Sequence, residues 1–195
     1  NGMNQVLVNR PVLEEYIRRQ YPGFKLISST TKRITGLDGL LEELNKDYFL
    51  VVLDYDLNHN EEVLSAIGKQ ADKVEILVNE ICYPGCPKRS EHYRQQSQMQ
   101  LEYDIDTAFP CPNKTRERKF EECKERPSFI SREQIREYVD RGFVNFKIVG
   151  RGMPMDFVKE SYLYYLVKDD SRAFIRNKME STLNQFAQAM KKRKA

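Results

Sequence analysis

Four cysteines, Cys82, Cys86, Cys111 and Cys123, fall inside one stretch of the chain, and none occurs elsewhere. The first pair lies in NEICYPGCPKRSEHY, residues 79–93, which also carries Arg89 and His92. Thiolates gathered in a segment with no hydrophobic pattern of its own are the donors from which metal sites are built, because a bound metal can replace the missing core. A proline follows Cys86 and prolines flank Cys111; such a residue holds the chain extended beside a cluster.

Spacing narrows the chemistry. A thioredoxin-type redox pair needs two residues between its cysteines, whereas three separate Cys82 from Cys86. A radical-type cluster motif would require a cysteine where Arg89 stands. Structural zinc prefers paired knuckles, and eleven residues separate Cys111 from Cys123. Irregular spacing suits a [4Fe–4S] cluster, whose corners accept ligands from separate segments. The expectation is therefore an iron–sulfur site on Cys82, Cys86, Cys111 and Cys123. The alternatives are structural zinc on Cys82, Cys86 and Cys111 with Cys123 or His92, or reduced thiols or disulfides without metal.

Other polar residues fall where apolar runs end. Asp54, Asp56 and Asn58 alternate beyond YFLVVL, residues 48–53. An EF-hand loop is excluded, because His59 stands where its glycine belongs and Ser65 where its last carboxylate belongs. Asn79 and Glu80 end the next run, and Lys147 lies within the last. Gly150-Arg151-Gly152 places a guanidinium in a flexible turn, a clamp for an anion. Asp54, Asn58, Asn79, Arg89, His92, Lys147 and Arg151 form the candidate substrate-facing set, weighed against capping and loop hydrogen bonds. His59 and His92 are the only histidines, and no zinc-protease, serine-hydrolase or phosphate-loop motif occurs. No general base is assigned.

The elements that must position these residues alternate. Residues 12–19, 36–44 and 61–70 carry apolar positions at helical spacing, while 24–28, 48–53, 74–78 and 144–149 are short apolar runs. Ser131 with Glu133 or Gln134 signals a helix start, and another helix follows Gly152 to about Val167. Ile175, Met179, Leu183, Phe186 and Met190 form one stripe on a terminal helix. Strand–helix repeats imply parallel strands. The fold class is α/β: a partial TIM-like (β/α) barrel of about four βα units, with a long cysteine-containing loop and a C-terminal helix. A complete barrel has eight strands over ~250 residues. Residues 1–195 are thus expected to be a single domain, the C-terminal half of such a barrel, with a metal-binding loop over 80–127 and an amphipathic helix over 171–195. In this architecture functional residues gather beyond the carboxyl ends of the strands.

Composition bounds the remaining classes. The 195 residues are 40% hydrophobic and 31% charged, with no apolar run long enough to cross a bilayer. A net charge of +3 is too small to argue for nucleic acid, and part of the surplus is the basic tail at 191–194. The chain opens without a signal-peptide pattern, so the expected location is cytoplasmic, where thiols stay reduced or bind metal.

Two segments together carry a resemblance. Ile76-Leu77-Val78-Asn79 through Cys82, Cys86-Pro87, Arg89 and His92-Tyr93 resembles the cysteine segment of the collagenase-like peptidases, peptidase family U32. Phe146 to Arg151, followed by a helix bearing Tyr162, Tyr164 and Tyr165, resembles that family's KIEGR strand and tyrosine helix, with Val149 where the family favours glutamate. The resemblance implies a TIM-like barrel, a [4Fe–4S] cluster on the four cysteines, and oxygen-independent hydroxylation of RNA or a small aromatic substrate. Peptidase activity is the older implication. It also implies that a preceding barrel half, or a partner subunit supplying it, completes the fold. The competing class is a non-catalytic domain pinned by structural zinc.

Overall fold

The structure, a computed structural model, describes residues 4–102, 109–111, 118–150 and 152–192. Five parallel strands lie side by side in chain order: β1 (Gln5–Val8), β2 (Lys25–Ser28), β3 (Leu50–Val52), β4 (Val74–Leu77) and β5 (Asn145–Lys147). Helices α1 (Pro11–Gln20), α2 (Leu37–Leu44) and α3 (Glu61–Ile67) join the first four strands. α4 (Arg89–Glu102), α5 (Phe120–Lys124) and α6 (Arg132–Asp140) lie between β4 and β5. A helical hairpin, α7 (Met155–Leu166) and α8 (Arg172–Lys192), follows β5.

Local chemistry explains the boundaries. Pro11, whose missing N–H is no loss in a first turn, starts α1. Asn60 caps α3 through the Val63 N–H, and Ser131 with Gln134 closes a reciprocal capping box on α6. Gly142, at φ 94°, then turns the chain towards β5.

Alternation divides the sheet into two unlike faces. Val8, Leu26, Val51, Val74 and Ile76 face one side, where Ile17 of α1, Leu40 and Leu44 of α2, Val63, Leu64 and Ile67 of α3, and Tyr138 of α6 cover them in the main core. Ile27, Leu50, Val52 and Leu77 face the other side and are buried in a cluster with one another and Val149, to which no described helix contributes a hydrophobic side chain. A satellite cluster of Phe120, Cys123 and Phe157 lies under α5 and α7. β1 and β5 end the sheet and do not pair with each other, so the sheet is open.

Two expectations are corrected. β1 is a fifth strand within a short segment, and its inner residue Val8 is fully buried. The long segment beyond β4 contains the 14-residue helix α4, whose polar sequence has no apolar face. No described helix is long and apolar enough to cross a membrane.

A buried ionic knot ties α1, α2 and the turn after β2 together. Glu43, 2% exposed, accepts from Ser28 Oγ at 2.5 Å, Lys32 Nζ at 2.6 Å and Lys46 Nζ at 2.6 Å. Tyr48 donates to Glu14, and Lys32 Nζ lies 2.6 Å from the Tyr48 hydroxyl oxygen. Burial alone would raise the Glu43 carboxyl; the two ammonium groups and Ser28 outweigh it and hold the pKa at about 2, against an ordinary 4.5. Because the folded value is depressed, the knot stabilises fully above about pH 4.5 and is lost as pH falls from there towards 2. Glu43→Ala, which takes from half-buried Lys32 its 2.6 Å partner and leaves it Glu14 at 3.4 Å, should cost about 3 kcal/mol in urea unfolding at pH 7. The variant should lack the wild type's stability loss below pH 4.5; an unchanged acid limb would show that Glu43 does not carry it.

Candidate functional site

The carboxyl ends of β2, β3 and β4 converge on a cluster of opposite charges. Beyond β2 the chain makes a single tight helical turn, Thr30–Lys32, and leaves Arg33 in the left-handed region at φ 60°. Beyond β3, Asp54 accepts the Asp56 N–H at 3.0 Å and starts the turn Tyr55–Leu57. These two turns set Arg33 Nη1 at 2.7 and 2.5 Å from the Asp54 carboxylate oxygens and Arg33 Nη2 at 2.8 Å from Asp56. Burial pushes the Asp54 carboxyl up, opposed by the Asp56 N–H and the Arg33 charge; the two aspartates raise Arg33 in turn, against its own burial.

Arg89, the first residue of α4, completes the cluster. It is 2% exposed, its guanidinium lies 3.5 Å from the centre of the Tyr55 ring, and Nη2 donates to the Tyr83 carbonyl at 2.5 Å. Its Nη1 is 3.6 Å from Asp56 Oδ1, within ion-pair range and beyond a good hydrogen bond. Burial lowers the Arg89 pKa to about 10, and the Arg33 charge adds to the shift. Arg89 Nε and Nη1, Asp56 Oδ1 and the Tyr55 hydroxyl are buried without hydrogen-bond partners among the described residues. A two-plus, two-minus cluster with orphaned donors and acceptors can take up a neutral polar group that both donates and accepts.

The other expected site residues divide by role. Asn58 is fully buried, and its Nδ2 donates at 2.8 Å to the carbonyls of Leu77 and Ser128. Asn79 is fully buried too: its Oδ1 accepts the Val149 N–H at 2.6 Å, and its Nδ2 donates to Val149 O at 3.0 Å and Ser161 Oγ at 3.2 Å. Both amides latch β4 to its neighbours. Lys147 pairs with Glu75 at 2.8 Å on the face of the sheet away from the main core. His92 stacks on Phe109, ring centres 4.5 Å apart, and burial beside Arg118 and Arg89 lowers its pKa. Arg151 lies outside the described residues.

Arg33, Asp56, Tyr55 and Glu80 are site residues that the candidate set does not contain. Arg33 and its aspartates are 21 and 23 positions apart, so no local pattern announces the pairing. Glu80 Oε1 accepts the Cys82 N–H at 3.0 Å, and burial pushes its carboxyl up.

The iron–sulfur expectation and its zinc alternative are both corrected here. Among the described residues, which include all four cysteines, no group of three or more His, Cys, Asp or Glu side chains is placed to hold a metal ion. The cysteines are free thiols. Burial, then the nearby Glu80, push Cys82 and Cys123 up to about 12. Cys123 is fully buried in the satellite cluster and donates weakly to the Glu80 carbonyl at 3.7 Å. The hydroxylase chemistry that depended on a cluster goes with that site.

An uncharacterized protease of Methanocaldococcus jannaschii is 27% identical to the chain over 171 residues, covering 85% of this chain and 50% of that protein. The chain thus spans about half the length of the curated relative it matches. No protein-family model matches the chain, and no solved structure does. The similarity is that of a distant, partial homologue.

Removing Arg33 would leave Asp54 and Asp56 buried without their main counter-charge. Arg33→Ala should destabilise the fold by roughly 3–5 kcal/mol, and Arg33→Lys should restore only part, since an ammonium cannot bridge both carboxylates in a planar fork. Urea denaturation of the three proteins measures this; a loss below about 1 kcal/mol for Arg33→Ala would put the pair among weak surface ion pairs.

Proposed function

We propose that this chain supplies one half of a (β/α) barrel whose mouth binds peptides, with the Arg33–Asp54–Asp56–Arg89 cluster as the polar part of the binding site. The second apolar face of the sheet carries the reading. A parallel sheet ordinarily packs on both faces; here every helix contributing to the main core lies on one face, while Ile27, Leu50, Val52 and Leu77 form a separate, buried apolar cluster on the other. The interior of a barrel is such a face, filled by side chains from strands opposite. The open edges of β1 and β5 are where further strands would join. The relative's doubled length supports a second half of comparable size, in the same polypeptide or a partner.

The peptide as substrate class comes from the relative's description as a protease. A backbone amide is also a group that donates and accepts at once, as the orphaned atoms around Arg89 and Asp56 require. Arg89 and Asp54 would meet the substrate from the carboxyl edge, with His92 on a segment that frames it. Lys147 would point into the barrel, and Asn58 and Asn79 would keep the strand ends in register. Cytoplasmic location accords with this reading.

Hydrogen exchange separates the open sheet from alternatives. In the isolated chain the outward amides of β1 and β5 should exchange quickly, and in the complete barrel they should be protected. Slow exchange there in the isolated monomer would mean that the edges are already covered and would overturn the half-barrel. Titration with short unstructured peptides should shift amide signals at residues 54–56 and 83–89. Shifts confined to the helix-covered side would sink the assignment of the carboxyl edge.

A further inference from the structure

In the charged cluster, the atoms without partners are held in place by the bonds their neighbours make. Arg89 gives Nη2 to the Tyr83 carbonyl at 2.5 Å, and its guanidinium sits 3.5 Å from the centre of the Tyr55 ring. Asp56 Oδ2 accepts from Arg33 Nη2 at 2.8 Å. That leaves a donor, Arg89 Nη1, and an acceptor, Asp56 Oδ1, 3.6 Å apart and too distant to bond well to each other. Neither atom has a hydrogen-bond partner among the described residues, and nor has the Tyr55 hydroxyl. Arg89 is 2% exposed and Tyr55 1%, so polar atoms left unmet here are costly.

We infer that Arg89 Nη1 and Asp56 Oδ1 form a subsite for a primary carboxamide, the side chain of an asparagine or glutamine in the bound peptide. This rests on the peptide binding proposed above and names the part of the peptide that is read. A trans peptide unit points its C=O and N–H in opposite directions, so one backbone amide cannot meet a donor and an acceptor lying side by side. A primary carboxamide carries its C=O and one N–H on the same edge, ~2.2 Å apart by the bond lengths of an amide. Two hydrogen bonds of ordinary length splay slightly from that edge and reach atoms 3.6 Å apart. The carbonyl accepts from Arg89 Nη1, and the N–H donates to Asp56 Oδ1. Charge excludes the isosteres. Arg33 and Arg89 balance Asp54 and Asp56, so a neutral group adds no uncompensated charge. A glutamate carboxylate would set an acceptor and a like charge against Asp56 Oδ1, and a lysine would do the reverse at Arg89. Only the tip of a side chain reaches atoms this deep, and Asp56, whose side chain is 13% exposed, marks the entry.

Titration of the intact chain with acetyl-Ala-Gln-Ala, acetyl-Ala-Glu-Ala and acetyl-Ala-Ala-Ala, followed on the Arg89 side-chain N–H signals, tests this. Each peptide ends in an N-methylamide, which keeps a primary carboxamide out of the controls. The Gln peptide should bind ~30-fold more tightly than either control, the difference expected when a buried hydrogen bond to a charged group goes unmade. Asp56→Asn keeps its oxygen on Arg33 and brings an amide N–H to where Oδ1 stood, so preference should pass from the Gln peptide to the Glu peptide. A merely structural role for Asp56 would weaken both alike, and the wild-type comparison decides the matter even if the variant does not fold. Equal binding of the Gln and Ala peptides overturns the carboxamide subsite and leaves peptide binding standing. If no peptide binds while propanamide shifts the Arg89 signals, the subsite stands and peptide binding falls. Uridine bound in preference to propanamide, through the similar edge of a nucleobase, overturns the inference. So does a wild type whose Arg89 signals respond to none of these probes.

Discussion

Parallel pairing in strict chain order is the constraint from which the rest follows. Each strand must be followed by a crossover that returns the chain to the same end of the sheet. When successive crossovers run the same way, the helices accumulate on one face. That face becomes the core, with α1, α2, α3 and α6 packed on Val8, Leu26, Val51, Val74 and Ile76. The opposite face keeps an apolar surface of its own making. The same connectivity brings the carboxyl ends of β2, β3 and β4 to one edge, which is why turns far apart in sequence can share charges there.

That edge is held by interactions with little freedom to rearrange. Arg33 bridges two aspartates across adjacent strand ends, and Asn58 and Asn79 spend their side-chain amides on backbone carbonyls and N–H groups of neighbouring segments. Tyr165 donates to the carbonyls of Val78 and Ile130 and joins α7 to the same region. The packed satellite of Phe120, Cys123 and Phe157 supports it from below. A segment that reads as needing a metal to order it is instead ordered by aromatic packing and by Arg89 and Arg126 over Tyr55 and Tyr83.

Legibility in the sequence followed the length and regularity of each signal. The runs at 48–53 and 74–78 are apolar throughout because their strands are central, and both are strands here. The capping box at Ser131 was readable because its partners are three residues apart. β1 lies at the edge, where only Val8 is fully buried, and its alternation is correspondingly faint. α4 has no apolar face, so periodicity is silent on it. The cysteine spacing was visible but did not say which way the thiols point.

Alternating buried runs and amphipathic segments by themselves determined an α/β chain with parallel strands, and placed Asp54, Asn58, Asn79 and Arg89 beyond strand ends, because both periodicities are local properties of the backbone. Tertiary structure alone decided what those side chains do. It turned Asn58 and Asn79 into latches, gave Asp54 its partner in Arg33, set the thiols apart from any metal geometry and gave the sheet a second apolar cluster away from the main core. These outcomes depend on distances between residues 20 to 80 positions apart, and such distances are set by how the helices pack on the sheet rather than by any pattern a short window can hold.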